Sequence, residues 1–105
     1  MDIFNTDKYY VPKHKVPELI RMGFPEIENP LYEQAFEWFR DRHYFHYYFE
    51  RNPEWQVKAK VARGYYDAFF LDDIWDNSSA VHIGFFDTYY EMLEGIFDYF
   101  MAEIR

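Results

Sequence analysis

At 105 residues with no cysteine, the chain has room for one core and excludes disulfides and thiolate chemistry. Half of the residues are apolar and 25% are aromatic, which excludes an intrinsically disordered chain. Net charge is −8, and residues 64 to 105 carry nine acidic groups against one basic, a field that repels nucleic acid and anionic membranes and favours basic proteins.

The first dozen residues read as extended and carry neither a basic leader region nor an apolar one. No later stretch approaches about 18 uncharged apolar residues, so a soluble, cytoplasmic protein with no membrane association is expected, a single domain over 1–105. Pro17 suits the first turn of a short helix, Glu18 to Met22, and Gly23 is placed to end it. Asn29 before Pro30 is a second helix start, from which Leu31, Tyr32, Ala35, Phe36 and Phe39 recur at helical spacing. The spacing predicts a helix over 30–43, with Glu33, Glu37, Arg40 and Asp41 on its other face.

Beyond it, β propensity takes over. Tyr44 to Glu50 reads as a strand turned at Arg51 to Glu54. In the following segment Trp55, Val57, Ala59 and Val61 alternate with Gln56, Lys58, Lys60 and Ala62, which predicts a second strand, Trp55 to Arg63. Gly64 then permits a reversal into a third strand, Tyr65 to Leu71. Residues 72–79 form a polar loop, and the Ala80 to Gly84 run, AVHIG, is assigned no element. A broad apolar face of Phe86, Tyr89, Tyr90, Leu93, Ile96, Phe97, Phe100 and Ile104 predicts a last helix from Phe85 to Ile104. The expected class is α+β in the order α-α-β-β-β-α, a three-stranded antiparallel meander with helices packed on one face.

Three groups of residues carry candidate function. Asp87, Glu91, Glu94 and Asp98 are spaced four, three and four apart and fall on one helix face, with no Lys or Arg interleaved. The ordinary reading of such a row is a solvated face; the functional one is a ridge for a basic partner. Asp72, Asp73 and Asp76 around Trp75 extend it as a partner-binding group, Trp75 being the kind of aromatic anchor that dominates interfaces. These acids lack the spacing and central glycine of a calcium loop.

The second group is His43 and His46, with Glu50 or His82 nearby in sequence. Their His-x-x-His spacing crosses a helix-to-strand junction, so convergence on a metal is not expected, and neither a metal nor another cofactor is assigned. The third group, Tyr47, Tyr48, Tyr65, Tyr66, Phe69 and Phe70, makes both sheet faces aromatic. One face is left for a second interface. These aromatics beside Lys58, Lys60, Arg51 and Arg63 also have the ingredients of a nucleic-acid platform, but the net charge and the absent Gly-aromatic signature argue against direct nucleic-acid binding. Nucleotide-binding and acyl-transfer motifs are absent, and no catalytic residue is assigned.

The runs LIRMGF (19–24) and NPLYEQAFEWFRDRH (29–43) resemble a group of small uncharacterised proteins of Bacteroidota and their phages and mobile elements. Those chains pair a helix ending in Gly-Phe with a Pro-Leu-aromatic-x-Gln-Ala-Phe-x-Trp-Phe-Arg helix, then aromatic strands and a terminal helix with Tyr-Tyr-Glu, matched here by Tyr89, Tyr90 and Glu91. This chain lacks the longer insert usual between the first two helices. The resemblance implies an α+β fold and a mobile-element origin, and nothing about catalysis.

The leading expectation is a non-enzymatic acidic and aromatic interaction module for a basic protein. In its sharper form it is a phage or mobile-element inhibitor of a host nucleic-acid-binding defence protein. The alternatives are a small metal-dependent or ligand-binding enzyme using His43 and His46, and a structural homodimer.

Overall fold

The structure, a computed structural model, describes residues 9–71 and 80–104. Among these, a 3-10 turn over Lys13–Lys15 leads into α1 (Val16–Arg21), followed by α2 (Tyr32–His43), β1 (His46–Arg51), α3 (Glu54–Lys58), β2 (Tyr66–Leu71), β3 (Val81–Phe86) and α4 (Tyr89–Ile104). The strands form one antiparallel sheet in the order β1-β2-β3. The class is α+β as expected, with one helix more than expected, lying between the first two strands.

Gly23 ends α1 because it can take φ of 112°, a left-handed value that strains other residues. Its N–H then donates to the Ile20 carbonyl at 2.9 Å, and that of Phe24 donates to Leu19 at 3.3 Å. Phe24 is thereby turned onto Trp38, edge to face at 5.7 Å.

Helix α2 begins two residues later than Pro30. Pro30 is fully buried and its carbonyl accepts the Val11 N–H at 2.9 Å, while Tyr10 bridges Leu31 in an antiparallel pair. That pairing holds the chain extended, and Gln34 Oε1 accepts the Leu31 N–H at 2.8 Å in place of an Asn29 cap. At the other end Tyr44 adopts φ of 59°, doing without glycine what a left-handed helix cap requires.

The expected strand over Trp55 to Arg63 is instead α3 and a turn. Glu54, Gln56, Lys58 and Ala59 are good helix formers, Pro53 precedes the first turn, and Lys58 pairs with Glu54 at 3.1 Å. Lys60 then takes φ of 62°, which ends the helix, and the N–H groups of Val61 and Ala62 fold back to the Gln56 carbonyl. Trp55 and Val61 remain exposed, so the alternation buries no face. The third strand is β3, which covers most of the unassigned AVHIG run and takes Phe85 and Phe86 from the expected start of α4. Thr88 sets that start, its Oγ1 accepting the Glu91 N–H at 3.1 Å.

Register fixes the two sheet faces. Tyr47 pairs with Phe70 and Phe49 with Ala68 on the side where α2 and α4 pack, while Tyr48 pairs with Phe69 on the other. A register break between Ala68 and Phe69 leaves Ile83 outside the pairing, and Ile83 packs against the core. Phe39, Phe97 and Phe100 are fully buried at the helix–sheet junction, each contributing about 1.5–3 kcal/mol of burial. Gly64 lies so close to β3 that an added Cβ would stand 2.9 Å from the Phe86 carbonyl oxygen.

Candidate functional site

Four separate segments converge beside the N-terminal ends of α2 and α4. Tyr9 and Tyr10, Leu31 to Glu33, Tyr47 of β1, and Tyr89 and Leu93 of α4 enclose a cavity of about 230 Å³. Five of these residues are tyrosines. The Tyr10–Leu31 bridge holds the N-terminal segment against α2, and Tyr90 Oη lies 2.9 Å from Tyr9 Oη with the rings edge to face at 5.2 Å. Tyr47 is braced by Phe36, ring to ring at 5.0 Å, and Tyr89 by Phe49 and Tyr66 at 5.9 and 6.1 Å.

The charged residues that line this region, among those described, are acidic. Glu33 is the charged residue among the described residues of the cavity lining, and an adjoining groove that shares Tyr10 and Tyr32 adds Glu91 and Glu94. Among the described residues neither lining contains Lys, Arg or His. Burial pushes the Tyr89 phenol above its ordinary pKa, and the Glu33 charge adds to the shift. Burial likewise raises Tyr47, with Tyr89 and Glu33 adding and Arg40 opposing more weakly. Tyr32 is raised most firmly by burial, then by Glu94 and Asp98. The phenols therefore stay neutral donors in a negative potential.

The acidic ridge differs from its expected form in two respects. Asp87 lies in the turn before α4 rather than on it, so Glu91, Glu94 and Asp98 are the members on the helix. Relief comes from far along the chain: Lys15 Nζ sits 2.8 Å from Asp98 and 3.6 Å from Glu94. The lower ridge is thus partly neutralised, while Glu91 and Glu33 stand beside the tyrosines. Asp72, Asp73, Trp75 and Asp76 lie outside the described residues.

The six aromatics expected at a second interface divide between faces. Tyr47, Tyr66 and Phe70 pack on the helix-covered side. Tyr48 and Phe69 stack on the open side at 4.7 Å with planes 13° apart, and the row continues through His82 to Phe85, with spacings of 5.1 and 4.5 Å. The Arg63 guanidinium caps it 5.7 Å from the Phe85 ring. Tyr65 precedes β2, and its carbonyl accepts the Asn52 N–H at 2.7 Å. Beneath the row Asn52 Nδ2 donates to Asp67 Oδ2 at 3.2 Å, and Asp67 Oδ1 lies 3.8 Å from His82 Nε2.

His43 and His46 fall on different elements, the end of α2 and the start of β1. The His43 ring packs against Trp38 and Phe45 at 5.1 and 5.6 Å. Among the described residues, no group of three or more His, Asp or Glu is gathered to hold a metal ion. No helix among them is long and apolar enough to cross a membrane.

Sequence reasoning missed the cavity. Tyr32 was legible only as part of an apolar helix face and Tyr9–Tyr10 only as an extended pair; the one signal was that twelve Phe, eleven Tyr and three Trp exceed what one small core can enclose. Comparison with family models, with curated proteins and with solved structures returned no match.

Proposed function

We propose that the chain is a non-enzymatic interaction module that docks a basic protein on the face formed by the tyrosine cavity and the start of α4. One observation carries this reading. An aromatic depression is rimmed by Glu33, Glu91 and Glu94; Lys15 reaches Glu94 alone, at 3.6 Å, and among the described residues no Lys, Arg or His lines the depression or its adjoining groove. Tyrosine supplies contact area at small entropic cost and carboxylates steer a basic partner toward it, a combination suited to protein recognition. Phosphate would be repelled there.

The sharper form, an inhibitor of a host nucleic-acid-binding defence protein, draws its support from the sequence resemblance and the negative field. It adds one expectation, that DNA and this chain compete for the same partner surface. The test of the general reading is fluorescence anisotropy with arginine-rich and glutamate-rich peptides of equal length. Binding confined to the arginine-rich peptide and weakening with salt is expected; equal binding of both peptides would reject the reading.

A second reading has its own support. The row Tyr48, Phe69, His82, Phe85 is an exposed aromatic face, with Tyr48 and Phe85 40% and 42% accessible, and such a face suits a second copy of the chain. Sedimentation at rising concentration tests it, with a dimer weakened by Phe69→Ser as its expected result.

A further inference from the structure

We propose that the tyrosine cavity receives one organic cation, the guanidinium or ammonium head of a basic side chain presented by the partner. For the source of that cation the proposal rests on the interaction reading above; for its chemistry it rests on the cavity alone. Size is the first argument. A cavity of 150 Å³ accepts benzene, so about 230 Å³ admits a planar guanidinium together with part of its methylene stem.

The lining is the second argument. Ring faces attract cations through their quadrupole, and a carboxylate at the rim of the same cavity adds direct attraction. Tyr47 and Tyr89 bring β1 and α4 into the lining, and Glu33, at the first turn of α2, joins them there. Both phenols feel the Glu33 charge, which places that carboxylate within electrostatic reach of the two rings. Leu31 and Leu93 supply an apolar surface for the stem. An anion would meet the Glu33 charge with no compensating donor but phenols, and a neutral aromatic would forgo the carboxylate.

Third, the cavity is not isolated. The groove through Tyr10 and Tyr32 leads toward Glu91 and Glu94, so a chain that inserts one cation can lay a neighbouring basic residue along it. Arg40 opposes the Glu33 charge at Tyr47 more weakly than Glu33 acts there, and Lys15 meets Glu94 at the far end of the groove.

The experiment is an NMR titration of the full chain with butylguanidinium, with its neutral isostere butylurea, and with an arginine-containing peptide. Butylguanidinium and the peptide are expected to shift the Tyr47 and Tyr89 ring signals to saturation, and butylurea to leave them unmoved. Glu33→Gln should weaken butylguanidinium binding on the order of tenfold. Glu103→Gln removes the same charge from the exposed end of α4 and should leave binding unchanged, which separates a local contact from the overall field.

Butylurea binding as tightly as butylguanidinium, or undiminished binding in a folded Glu33→Gln protein, would overturn the cation assignment. Peptide binding that persists without shifting the cavity signals would also overturn it, while leaving the interaction reading intact. Butylguanidinium binding without peptide binding would instead overturn a partner's side chain as the source, and the interaction reading with it.

Discussion

The tyrosine cleft and the open sheet face draw on the same kinds of side chain and differ in what is left unsatisfied. On the sheet, Tyr48 stacks on Phe69, His82 bridges to Phe85, Arg63 covers the end of the row, and Asp67 is held by Asn52. The rings and Arg63 there find partners within the chain, and one acceptor beneath them is left over: Asp67 Oδ1 is buried without a hydrogen bond among the described residues, 3.8 Å from His82 Nε2. In the cleft the tyrosines surround space, and of the carboxylates that rim it Glu94 pairs with Lys15 while Glu33 and Glu91 meet no Lys, Arg or His among the described lining residues. Aromatic content alone therefore does not locate a docking site; unbalanced charge beside unfilled volume does.

The contrast can be broken at its root by Phe100→Ala. Phe100 is fully buried and touches Phe36, Phe39, Phe45 and Phe70, the rings that join α2, α4 and the sheet. A loss of about 3–5 kcal/mol is expected by urea denaturation, enough to remove both surfaces together. Gly64→Ala acts first on the sheet, because the new methyl meets the Phe86 backbone; about 1–3 kcal/mol should be lost, with the cleft's ligand binding retained below the midpoint.

Alkaline pH sharpens the comparison from the other side. Tyr32, Tyr47 and Tyr89 hold their protons more firmly folded than unfolded. The stability they contribute is fully present below about pH 10 and declines as pH rises toward the folded-state values. Denaturation midpoints followed from pH 8 to 11 should fall in the upper part of that range, and Tyr89→Phe should blunt the fall. A double Tyr48→Phe and Phe69→Tyr exchange on the sheet face should leave it unchanged. The smallest effect is expected at Tyr44, exposed and at positive φ, where Tyr44→Gly should raise stability by about 0.5–1 kcal/mol in the same assay.

Helices α1, α2 and α4 were legible because local rules set them. Gly23 ends α1, Phe36 and Phe39 mark the buried face of α2, and the apolar repeat through Leu93, Ile96, Phe97 and Phe100 defines α4. The middle of the chain was not, since Trp55 to Val61 alternates like a strand but consists largely of helix formers, and β1 gains more from pairing with the aromatic β2. In β3 the run Val81, His82, Ile83, Gly84, Phe85 did alternate, yet the register break sends Ile83 inward and leaves Val81 and Phe85 exposed. The Lys15 contact with Asp98 joins residues 83 apart in sequence, and the cavity gathers Tyr9, Tyr32, Tyr47 and Tyr89 from four segments. No local pattern encodes such meetings. They follow only once the core has closed.

The cleft's primacy is tested most directly by calorimetric titration of an arginine-rich peptide into two folded variants. One reverses the cleft with Glu33→Lys and Glu91→Lys; the other strips the sheet face with Tyr48→Ser and Phe69→Ser. Affinity lower by about 100-fold in the first and unchanged in the second is expected for a docking site with two direct charge contacts. Retained affinity in the first with loss in the second would contradict it and move the interface to the open sheet.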